Sequence, residues 1–67
     1  MPQITEEQAE ALEKLIDTHG LGTVVEAIAL ICGEKGEHLR TNWQDAAAAK
    51  EWDKNSQRLF KVAAQLE

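Results

Sequence analysis

Apolar residues recur at helical spacing through almost the whole chain, and polar punctuation divides it into three predicted helices. Thr5 and Gln8 have the spacing of a reciprocal capping box, which opens a first helix at residue 6. Ala9, Leu12, Leu15 and Ile16 fall on one side of that helix and Glu6, Glu10, Glu13 and Asp17 on the other. Gly20 is placed to end it near His19 as a left-handed C-cap.

Thr23 and Glu26 repeat the capping-box spacing, so a second helix is expected from residue 24 to about 42, joined to the first by Gly20-Leu21-Gly22. Its broad apolar face holds Val24, Val25, Ile28, Ile31, Cys32, Leu39 and Trp43. Gly33 and Gly36 interrupt it, each costing about 1 kcal/mol against alanine in a helix interior. Two readings stand: a break at Gly33-Glu34-Lys35-Gly36, or one continuous helix. Leu39 and Trp43 stay in phase with Val25, Ile28 and Cys32, which favours continuity and places Gly33 on the polar side with Glu26, Glu37 and Arg40.

Asn42, three residues before Asp45, is the cap candidate for a third helix over about 45–65, with the turn near Thr41 to Gln44. Ala48, Ala49, Trp52, Ser56, Leu59, Ala63 and Leu66 form its nearly heptad-spaced stripe, broadened by Phe60. Leu66-Glu67 also fits a cloning remnant, which weakens the claim of Leu66 to a core place. No strand pattern or internal repeat is present. The chain reads as all-α: one domain over 1–67, frayed at 1–4, with a three-helix bundle that homodimerisation could complete.

Composition narrows the setting. A chain of 67 residues buries only about 60% of its unfolded surface, so its core is meagre. A single cysteine, Cys32, excludes an internal disulfide and suits a reducing compartment. The acidic first ten residues do not resemble an export signal, and Val24 to Cys32 is far shorter than the about 20 residues of a membrane span. A cytoplasmic protein is expected. The net charge of −5 lies wholly in residues 1–33, while residues 34–67 balance six basic against six acidic groups. Such a chain repels phosphate backbones at long range, making nucleic acid an unfavoured partner.

Chemistry is hard to place. Cys32, Glu34 and His38 lie close in sequence, but Cys32 and His38 are six apart and do not share a helix face. Glu34 and His38 suit a surface i, i+4 contact, and Cys32 suits a small buried hydrophobe. Gly33-Glu34-Lys35-Gly36 has the GxxG form of a KH loop without the strands such a loop needs. The start of the second helix offers no base-reading side chain, so DNA reading by a helix-turn-helix is not expected. No catalytic residue, metal ligand set or cofactor is assigned, and no enzyme is expected.

Lys50, Lys54, Arg58 and Lys61 share one side of the third helix. They are either a docking stripe for an anionic partner or a solvated face diluted by Glu51 and Asp53. Leu30 lies off the main apolar face and Trp43 at a helix end, so both are candidate partner-binding residues. The leading expectation is a non-catalytic protein-interaction module that self-associates, and the alternative is weak nucleic-acid binding through the basic face.

The segments Leu15-Ile16-Asp17-Thr18-His19-Gly20-Leu21, Ala29-Leu30-Ile31-Cys32-Gly33-Glu34-Lys35 and His38-Leu39-Arg40-Thr41-Asn42-Trp43-Gln44-Asp45 carry a resemblance. The chain resembles short helical proteins encoded in bacterial and bacteriophage genomes, over roughly residues 12–60. Those proteins commonly have other residues where Gly33 and Gly36 stand, which implies a continuous second helix. No activity is attached to them, so the resemblance implies no site residue.

Overall fold

Capping chemistry starts the first helix where the side chains demand it. The Gln8 backbone N–H donates to Thr5 Oγ1 at 3.1 Å, and the Thr5 N–H donates back to Gln8 Oε1 at 3.0 Å. The computed structural model describes residues 3–66, and within it α1 runs Glu6–His19. The expected fraying of residues 1–4 falls partly on Met1 and Pro2, outside the described residues; Gln3 and Ile4 are not helical.

Gly20 both ends α1 and begins α2. Its φ of 89° and ψ of 153° belong to a region that side chains disfavour, and its N–H donates to the Ile16 carbonyl at 2.7 Å. The chain turns by 118° across this one residue. Helix α2 therefore starts at Leu21, earlier than expected, and runs Leu21–Asn42. The predicted Thr23–Glu26 capping box does not form, because the Gly20 carbonyl already accepts the Val24 N–H at 3.2 Å and Thr23 lies inside the first turn.

Helix α2 is continuous through Gly33 and Gly36. The turn that follows differs from expectation at its cap. Asn42 is the last residue of α2, and Asp45 caps α3 by accepting the Ala48 N–H at 3.0 Å. Gln44 takes a φ of 49° to reverse the chain. Helix α3 spans Ala46–Ala63, and Leu66 beyond it is half-buried.

The molecule is all-α with three helices, and α2 and α3 form its closely packed part. They meet antiparallel through small residues. Gly22, Ala29 and Gly36 are spaced by seven on α2, as are Ala49, Ser56 and Ala63 on α3, and all six are buried. A side chain at Gly36 would stand 3.2 Å from the Ala49 carbonyl oxygen and would strike the Asp53 carboxylate. One at Gly22 would meet the Ala63 and Leu66 carbonyls. Between these ends the Ser56 hydroxyl donates to the Ala29 carbonyl at 2.7 Å, fixing the register. Arg40 closes one edge by bridging Asp53 of α3 and Glu37 of its own helix.

Helix α1 touches α2 and makes no contact with α3. None of its residues is buried: Ile16 is half-buried, whereas Ala9, Leu12 and Leu15 are exposed. The broad apolar face expected on α2 divides likewise, since Val24 and Cys32 are buried but Ile28, Ile31 and Trp43 are exposed. Gly33, expected to face water, is half-buried with Ser56 Oγ 3.4 Å from where its side chain would begin.

The two mid-helix glycines should therefore respond oppositely to alanine. Gly36→Ala should lower the urea midpoint, because overpacking of about 1–3 kcal/mol outweighs a helix-propensity gain of about 0.5–1 kcal/mol. Gly33→Ala makes only an ordinary contact and should raise the midpoint through that same gain.

Candidate interaction surface

The residues singled out as partner-binding candidates lie in separate places. Leu30 is exposed on α2, and Trp43, which caps the C-terminus of α2, is 70% exposed. Thirteen residues of helix separate them, about 20 Å at 1.5 Å per residue. They do not form one patch. Lys50, Lys54, Arg58 and Lys61 are exposed along α3, stepping round the side opposite buried Ala49, Ser56 and Ala63. Of the two acids expected to dilute this stripe, Asp53 is drawn across to Arg40, and Glu51 lies 3.9 Å from Lys54 Nζ.

Trp43 is held by His38 rather than by the core. Its Nε1–H donates to His38 Nε2 at 3.2 Å, while the Asn42 side-chain amide lies 2.7 Å from Nδ1. An indole nitrogen is only a donor, so His38 Nε2 accepts from Trp43, and the Asn42 amide nitrogen is the atom beside Nδ1. The predicted pairing of His38 with Glu34 is replaced by this cluster at the helix end. Cys32 is buried in α2, and among the described residues no three Cys, His, Asp or Glu side chains are grouped so as to hold a metal ion.

A surface not singled out in the sequence lies along one flank of the α2–α3 pair. The Lys35 ammonium sits 5.6 Å from the Trp52 ring centre, and Ile31, His38 and Leu39 line a shallow groove beside them. That contact shows which sides of the two helices adjoin. Stepping roughly 100° per residue from Ala29, which faces α3, Leu21 and Ile28 fall on the same side of α2 as Lys35. By the same steps from Ser56, Val62 falls on the Trp52 side of α3. Leu21, Ile28, Ile31 and Val62 are all exposed. The opposite flank carries Glu26, Glu37 and the Arg40–Asp53 bridge. The spacing of Leu21, Ile28 and Lys35 by seven is a signal for this flank, but it is masked because Leu21 reads as part of the link and Ile28 as part of the apolar face of the second helix.

Comparison of the chain with models of known protein families, with curated proteins and with solved structures gives no match. No single helix among the described residues is long and apolar enough to cross a membrane.

The two tryptophans should separate in a denaturation experiment. Trp43→Ala should change stability by no more than about 0.5 kcal/mol, as surface substitutions do. Trp52→Ala removes half-buried apolar area beside the helix contact and should cost about 2 kcal/mol or more by urea titration.

Proposed function

We propose that this protein is a non-catalytic interaction module that works by associating with other copies of itself, presenting helical surface to a second chain. The observation that carries the reading is the excess of uncovered apolar surface. The chain exposes 5581 Å². A compact monomer of 7.4 kDa exposes about 4,200 Å² by the scaling of area with mass. Its radius of gyration is 13.6 Å, against about 11 Å for a compact chain of this length. Among the described residues ten large apolar side chains are exposed and no large side chain is fully buried.

Shape supports the same reading. The molecule measures 37 × 28 × 16 Å, and its thinnest dimension is about one and a half helix diameters of about 10–12 Å. Flat helical layers leave apolar faces in water, and the hydrophobic effect favours stacking another layer upon them. The lone buried Cys32 suits a reducing, cytoplasmic setting, and the resemblance to bacterial and bacteriophage proteins suits a bacterial source. Sedimentation equilibrium over micromolar concentrations should give a mass above 7.4 kDa that rises with concentration. A constant monomer mass would overturn self-association.

The alternative, weak nucleic-acid binding or an accessory role through the basic face of α3, rests on one observation. Among the described residues only Lys54 of the four stripe cations has a carboxylate within ion-pair distance, so Lys50, Arg58 and Lys61 are available to phosphates. This reading requires a mobility shift with duplex DNA at low salt, lost with a log–log slope of about −0.9 per neutralised phosphate. No shift at low salt would dismiss it.

A further inference from the structure

We infer that the occupant of the apolar flank of the α2–α3 pair is the same flank of a second copy, so that two chains form a four-helix dimer with α1 at its periphery. The inference rests on the self-association reading and names its surface. Leu21, Ile28 and Ile31 of α2 and Val62 of α3 are exposed along this flank, with Leu39 and Trp52 half-buried between the helices.

None of the described residues covers it. Helix α1 leaves Gly20 towards the side of α2 remote from α3, where Leu15 and His19 line a hollow together with Thr23, Val24 and Ala27. Ala27 is about 160° round α2 from Ala29, so α1 and α3 lie on opposite sides of α2 and the flank between them stays open. The extent matches what a dimer needs. Helix α3, of 18 residues, is about 27 Å long, and two helices side by side are about 20 Å across. The flat projection is therefore about 540 Å², and the accessible surface of a corrugated face is larger. Stable interfaces bury about 800 Å² per partner. The excess of about 1,400 Å² over a compact monomer is ample to contain such a patch.

Charge favours a like partner on this flank. Lys35 and Glu34 both line its groove; Lys35 lies over the Trp52 ring, and both side chains are exposed and extend to the rim, so two such faces approach with opposite charges at their edges. By the same 100° steps Glu51 and Arg58 stand beside Val62 as an exposed pair of opposite charges at the rim, while Lys50, Lys54 and Lys61 are turned elsewhere. Two identical apolar flanks form an isologous, closed contact that leaves no copy of the patch exposed.

Three variants, Ile28→Glu, Val62→Glu and Leu30→Glu, test the inference by sedimentation equilibrium with helicity followed by circular dichroism. The unaltered chain and Leu30→Glu should approach twice 7.4 kDa, whereas Ile28→Glu and Val62→Glu should fall to the monomer mass. If those two also lose helicity, dilution of the unaltered chain decides: its helicity must fall over the range in which its dimer mass falls. Helicity unchanged by dilution in that case overturns the inference. Retention of dimer mass by Ile28→Glu or Val62→Glu, loss of it in Leu30→Glu, or a trimeric unaltered chain overturns this surface while leaving self-association intact. An unaltered chain that stays monomeric overturns both.

Discussion

Everything else in the fold follows from how closely α2 and α3 approach. With glycine or alanine at three heptad-spaced positions on α2 and alanine or serine at three on α3, little side-chain bulk separates the two backbones. At Gly36 and Gly22 the neighbour is a carbonyl oxygen of the other segment, and at Ala29 it is the Ser56 hydroxyl, which donates at 2.7 Å. Dispersion between backbones and one buried hydrogen bond take the place of large interlocking side chains. This explains the continuity of α2 through two glycines: Gly36 spends helix propensity on proximity.

That economy has a consequence at the surface. A contact made by small residues occupies a narrow strip, so larger neighbours such as Ile28, Ile31, Leu59 and Trp52 fall to its sides rather than within it. In a closed three-helix core a third helix would cover one of those sides. Here Gly20 turns the chain through 118° and sends α1 to the back of α2. The result is a thin plate with apolar side chains in water.

Polar chemistry is arranged around the plate without converging on a site. Arg40 ties Asp53 to Glu37 at one edge, His38 holds Trp43 and Asn42 at the end of α2, and the α3 cations face outward. Each group satisfies local hydrogen bonding or remains hydrated.

Local structure was legible in the residues because its causes are local. The Thr5–Gln8 box, the stop at Gly20, the polar face of the first helix and the unbroken phase from Val25 to Leu39 depend on side chains within one or two turns of each other. The misplaced caps at Thr23 and Asn42 show where that reasoning weakens. Two acceptable cap signals stood a few residues apart, and a single glycine with positive φ and a reversal at Gln44 chose between them. The apolar stripes identified the apolar side of each helix, but periodicity does not say whether anything covers it: Leu12, Ile28 and Ile31 are exposed. Whether Leu12, Ile28 or Ile31 meets a helix of its own chain depends on the direction in which α1 leaves Gly20, and whether Gly33 meets water depends on where Ser56 arrives, 23 residues later. The sequence by itself determined three amphipathic helices and their approximate ends, since hydrogen bonding and side-chain spacing act over short separations. Only the tertiary structure decided that small residues would form the contact and large ones the surface, because that choice is made by the mutual approach of whole helices.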